Sequence, residues 1–209
     1  MTQLDLILTW IAKNGYWFVL GGLVVALCVR DRQKRIAVLR PLLIMAGIVV
    51  GSIFLAAAYG KLKPIIPGFP WSVASLKLSI TSFAMQVESY QLISSAASNF
   101  VAHVLPFFEL FLGLWLVSGI ARRYSGLIAS VILFGFMSAI TYAYFRGLKI
   151  KCGCGVGPDE DVGPAALLRD GLQFFLPALL LTIGAFYARS NRARAAVSEP
   201  ALPSAAHAD

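Results

Sequence analysis

Five stretches of this chain stay apolar long enough to cross a lipid bilayer as helices, and that limits the fold before any single residue is considered. They cover residues 4–29, 39–60, 100–120, 124–145 and 171–188. A helix needs roughly 20 predominantly apolar residues to traverse the hydrocarbon core. The first stretch is the weakest, because Lys13 and Asn14 interrupt it. It also makes a poor signal peptide, since "MTQLD" places no basic residue before the apolar run. All five read as spanning helices, with Pro177 expected to kink the last. The chain is 58% hydrophobic and 13% charged, which leaves too little polar surface to cover a soluble domain. The formal charge of +8 points to membrane topology and not to nucleic acid, because the bases cluster beside the apolar runs.

Those clusters set an orientation. "RDRQKRIAVLR", Arg122 with Arg123, and Arg189, Arg192 and Arg194 fall on one side if five helices cross. Lys and Arg dense near helix ends mark the cytoplasmic side. The expectation is an inner-membrane, multi-pass protein with an outward N-terminus, a cytoplasmic C-terminus, and the 146–170 connection outside the cytoplasm. The tail, 190–209, is rich in Ala, Pro and Ser and reads as disordered. Between residues 61 and 99, Phe83, Val87 and Tyr90 recur at helical spacing, which predicts a short helix lying on the membrane surface.

The connection before the last apolar stretch reads "LKIKCGCGVGPDED" and places Cys152 and Cys154 one glycine apart. A disulfide needs its Cα atoms roughly 4.4–6.8 Å apart, so a Cys-x-Cys pair closes only over a bent backbone. Gly153 permits that bend. The resulting small ring is strained, and strained, exposed disulfides are the exchange-active kind. Lys149 and Lys151 favour the thiolate, while the acids at 159–161 oppose them. Three readings stand side by side: a redox pair, a thiolate metal site of the Cu(I) type without a neighbouring His or Met, and an inert disulfide that pins a loop. Cys28, the remaining cysteine, reads as a packing residue.

Glu109 lies well inside the third apolar stretch, where a charge is expensive and needs a partner. It is either a proton-handling or quinone-contacting carboxyl, or a neutral acid hydrogen-bonded between helices. A quinone is the one cofactor this leaves open; no metal ligand set is assigned. Gly113, one turn on, offers a close helix approach on the same face. His103 reads as an interfacial hydrogen-bonding residue. Asp170 reads as a cap for the last helix or, with Arg169, as an ion pair anchoring the Cys loop.

In order along the chain, "AAAYGKLKP", "FAMQVESYQLI", "LPFFELFLGLWLVSG", "RGLKIKCGCGVG" and "LLRDGL" resemble the MauE branch of the MauE/DoxX superfamily of small membrane proteins. The resemblance covers about two thirds of the chain and is carried by Gly-Lys-Leu, Leu-Pro-x-x-Glu and Cys-Gly-Cys-Gly taken together. It implies an all-α membrane protein, a four-helix transmembrane bundle over 39–189 that bears the Cys-Gly-Cys loop. Here one extra N-terminal transmembrane helix and a basic loop would precede it, over 1–38. It also implies a redox role in periplasmic protein maturation. In that family the role is assistance to the disulfide-rich small subunit of methylamine dehydrogenase, beside a thioredoxin-like partner. The expected partners are the lipid bilayer and an extracytoplasmic thioredoxin-like protein or disulfide-containing client. The expected activity is thiol–disulfide exchange at Cys152 and Cys154, with Glu109, Lys151, Arg169 and Asp170 in support. The rivals are a non-redox scaffold or permease and a copper- or zinc-handling protein. The chain departs from the pattern in its N-terminal stretch, in a longer segment between "KLKP" and "SFAM", and in having "KLKP" where the family carries an acid before the proline.

Overall fold

A computed structural model of the protein describes residues 14, 21–22, 32–64, 70–151 and 161–198, without the side chains of 32–37, 169, 173 and 192–198. The described residues are helical almost throughout: α1 (Arg32–Leu62), α2 (Val73–Ser89), α3 (Ser95–Ser118), α4 (Arg122–Phe145), α5 (Pro164–Asp170) and α6 (Leu176–Ser198). Three carry segments long and apolar enough to cross a membrane: Val38–Leu62, Ser95–Ser118 and Arg122–Phe145. Most of the expected stretch at 4–29, and residues 199–209, lie outside the described residues. The tail expected to be disordered from residue 190 is instead helical as far as Ser198, where the last helix ends.

The last apolar stretch is helical but not uniform. A π-helical turn, Gly171–Phe175, joins α5 to α6. Its closing bond runs from the Leu176 N–H to the Gly171 carbonyl, five residues back. The cause stands just beyond it. Pro177 has no N–H to donate and its ring crowds the preceding turn, so a widened turn is a common relief. A widened turn therefore stands where a kink at Pro177 is expected.

The helices α1 and α3 pack antiparallel along a seam of small residues. A Cβ added to Gly51 would lie 2.9 Å from the Gly113 carbonyl, and one added to Gly47 would lie 3.1 Å from that of Leu116. This close approach is how membrane helices gain dispersion contacts without a hydrophobic drive between them. A second antiparallel pair, α4 and α6, meets where the Ser130 and Thr182 hydroxyls approach to 3.3 Å, each also bonded to its own helix backbone. Val50 and Phe54 of α1, Leu112 and Leu116 of α3, Leu133 of α4 and Leu181 of α6 share one core. The outer faces stay apolar: Phe111, Leu114, Val131 and Phe134 are all exposed. On a protein in water such faces would aggregate; here they fit a lipid surround.

The two ends of the bundle differ. At one, Arg122, Arg123 and Arg189 surround a hollow of about 270 Å³ beside Leu43. The basic segments at 122–123 and 189 therefore do meet at one end. The other end carries α2 and the α4–α5 connection. The surface helix expected near 83–90 is longer than its periodicity indicated. Ser72 caps it at Val73 through reciprocal bonds with Ser75. Its Ile80, Phe83 and Ala84 pack against Ala102 of α3, so its apolar face is turned toward protein.

Candidate functional site

Glu109 is the buried carboxylate that the sequence singles out, and the structure gives it a partner. The Lys61 ammonium donates to both of its oxygens, at 2.8 Å each. The two side chains are only 4% and 2% exposed. Neither charge reaches water, so each is tolerable only because of the other. Lys61 stands in the last turn of α1, where the helix dipole favours a cation. Glu109 lies on the buried face of α3 with Ala102, Pro106 and Gly113. Phe83 of α2 and Phe136 of α4 place their rings 5.3 and 5.9 Å from the Lys61 nitrogen. The helix α2 is held over this site by the Ser79 hydroxyl, which donates to the Lys63 carbonyl at 2.8 Å. Its far end is closed by a Ser95 hydroxyl bond to the Glu88 carboxylate.

Beside the ion pair lies a cavity of about 210 Å³, walled by carbon from α1, α2, α3, α4 and the π-turn. Its polar lining consists of Lys61, Glu109, Gln86, Tyr90 and Asp170. Sequence reasoning found Glu109 but left Lys61 in a loop; the Gly-Lys-Leu motif was the available signal.

The other residues singled out in sequence fall elsewhere. Asp170 is buried, but it does not cap the last helix: helix has already begun at Pro164, and Asp170 makes no side-chain capping bond. It faces the same cavity as Glu109. The side chain of Arg169 lies outside the described residues, and with it the proposed pairing to Asp170. Lys151 is largely exposed, with its nitrogen 3.9 Å from an Asp161 oxygen. His103 bonds through Nδ1 to the Asn99 carbonyl at 2.8 Å and is exposed.

Cys152 and Cys154 lie in 152–160, outside the described residues; Cys28 does too. What is described is the base on which that segment stands. Helix α4 ends in a Schellman-type turn at Gly147, φ +67°, with the Leu148 N–H bonded to the Ala143 carbonyl at 3.0 Å. The chain then runs extended through Ile150 to Lys151. Val162 donates its N–H to the Ile150 carbonyl at 2.9 Å, and Lys151 and Asp161 form an isolated antiparallel bridge. The Cys-bearing segment thus leaves and rejoins the bundle at one point, next to α5.

Apolar outer faces, tightly seamed helices and one ion pair hidden from both water and lipid define a multi-pass helical membrane protein. The chain belongs to the MauE family: the family model described as "Methylamine utilisation protein MauE" matches residues 39–185. The match takes in the ion pair, the cavity and the Cys-Gly-Cys segment, and leaves residues 1–38 outside. No curated protein and no solved structure matches the chain.

Proposed function

We propose that this protein is a membrane maturation factor that exchanges thiol–disulfide equivalents through Cys152 and Cys154 with an extracytoplasmic thioredoxin-like partner or disulfide-containing client. The small subunit of methylamine dehydrogenase is the kind of client that the family resemblance implies. The observation that carries this reading is the pinned base at Lys151 and Asp161, which holds a Cys-Gly-Cys segment on a short tether at one end of the bundle. Under this reading residues 1–38 add an N-terminal span and basic loop, the last helix is a fourth bundle span, and 190–209 is a cytoplasmic tail. The arginine-lined end faces the cytoplasm. The Cys segment faces the compartment where disulfides persist.

The chemistry balances without a further cofactor. One cysteine thiolate attacks a partner disulfide; the partner's S–S bond breaks and one partner sulfur leaves as thiolate. The second cysteine attacks the mixed disulfide and expels the other partner sulfur. Cys152 and Cys154 are then joined and oxidised by two electrons, and the partner is reduced by two. Run backwards, the same steps hand a disulfide to a client. Lys151 favours the attacking thiolate.

Single Cys152→Ser and Cys154→Ser variants on a Cys28→Ser background test this in intact cells. An impermeant maleimide is expected to label the remaining cysteine before the membrane is opened. One of the two variants is expected to accumulate a mixed disulfide that a reductant resolves on a non-reducing gel. Full client maturation by the double serine variant at normal protein level would overturn the exchange role, and labelling only after permeabilisation would overturn the orientation.

A further inference from the structure

The Lys61 ammonium has three N–H donors, and the Glu109 carboxylate takes two of them. The third has no oxygen or nitrogen acceptor among the described residues. It sits at the edge of the apolar cavity, between the faces of Phe83 and Phe136. On the α2 side the same cavity is lined by the Gln86 side chain. The two aromatic faces answer that side of the ammonium through their ring quadrupoles, and an oxygen acceptor arriving in the cavity would add a charge-assisted hydrogen bond.

Size and charge narrow what would meet it. An apolar cavity of about 150 Å³ in another protein stays dry and takes up benzene. The cavity here, about 210 Å³, has room for one substituted ring system of that order. Glu109 already balances Lys61, and Asp170 adds a carboxyl to the lining, so an anion gains nothing by entering. A cation has no acceptor to offer the third N–H. A lipid acyl chain fills carbon-lined space but leaves the donor unmet. What remains is a neutral, ring-sized, largely apolar molecule that presents a carbonyl oxygen, and it must be soluble in the bilayer that surrounds the bundle.

We propose that this cavity binds a quinone headgroup, a single ring whose carbonyl oxygen accepts the third Lys61 N–H while its faces pack against Phe83 and Phe136. The site is formed by α1, α2, α3, α4 and the π-turn. Binding is read without any thiol chemistry, so its failure leaves the exchange reading untouched.

The test uses the full chain in lipid nanodiscs with a tail-less dimethoxy-methyl-benzoquinone as probe, read by equilibrium dialysis against empty nanodiscs. Saturable binding at about one ring per chain is expected. Ala139→Phe, which fills the cavity from α4, should weaken it at least tenfold. The paired change Lys61→Met with Glu109→Leu removes the donor without stranding a charge and should weaken it about tenfold. Leu114→Ala, on the exposed face of α3, should leave it unchanged. A photoreactive azidoquinone on the unaltered chain should mark residues 83–93 or 136–140. Uptake no greater than in empty nanodiscs, unaltered affinity in a normally folded Ala139→Phe protein, or labelling confined to lipid-facing residues would each overturn the proposal.

Discussion

Glu109→Ala is expected to lower the thermal unfolding midpoint of the detergent-solubilised protein by about 10 °C. It leaves the Lys61 ammonium without its carboxylate, among Phe83, Phe136 and the aliphatic wall of the cavity. Removing one partner of a buried pair costs about 3–5 kcal/mol, most of it the penalty of the charge left behind. For a chain of this size each kcal/mol moves the midpoint by about 2–4 °C. The double change Lys61→Met with Glu109→Leu removes both charges together and should recover most of the loss, because apolar replacements of a buried pair are often neutral. Differential scanning fluorimetry of the three proteins decides the matter. A single variant that melts like the parent would mean the ammonium reaches solvent and the pair is not buried.

Gly51→Val strikes the seam between α1 and α3. Its Cβ would fall 2.7 Å from Val117 Cγ2, 2.9 Å from the Gly113 carbonyl and 3.1 Å from the Val117 nitrogen. Two of these three neighbours are backbone and cannot rotate away. Overpacking of this kind costs about 1–3 kcal/mol and sometimes more. The expected result is a midpoint several degrees lower, with quicker proteolysis between the two helices. Gly135→Ala is the matched control. It meets nothing within 4 Å, so the better helix former should be neutral or slightly stabilising.

How far the sequence spoke for itself differs from residue to residue. The apolar runs at 39–60, 100–120 and 124–145 carry their own length, and the membrane-length segments Val38–Leu62, Ser95–Ser118 and Arg122–Phe145 follow them closely, α1 itself starting earlier at Arg32. Glu109 stood out because a lone acid in such a run has few explanations. Its partner was hidden for a simple reason. The hydropathy of α1 fades at Gly60, so Lys61 reads as the start of the loop that follows, whereas the helix continues to Leu62 and buries that lysine. The pair also joins residues 48 apart, and no local pattern encodes such a distance. Gly113 was legible as a small-residue contact, but Gly51 as its counterpart was not. Asp170 was misplaced because its position was judged from the apolar stretch that follows. Pro164, a residue suited to a first helical turn, was the better marker of where that helix begins.

The position of the two charges along their helices bears on how the chain is made. An acid or base at the centre of an isolated spanning helix costs about 2.5–3.5 kcal/mol to insert. Lys61, one residue from the end of α1, can reach up to the interface with its long aliphatic stem while it waits. Glu109 sits in the interior of α3 with a short side chain and has no such escape. Synthesis runs from the N-terminus, so the helix that can wait is the first to enter the bilayer. The one that cannot emerges later, with its counter-charge already in place. Chain order thereby spares the insertion machinery a stranded carboxylate.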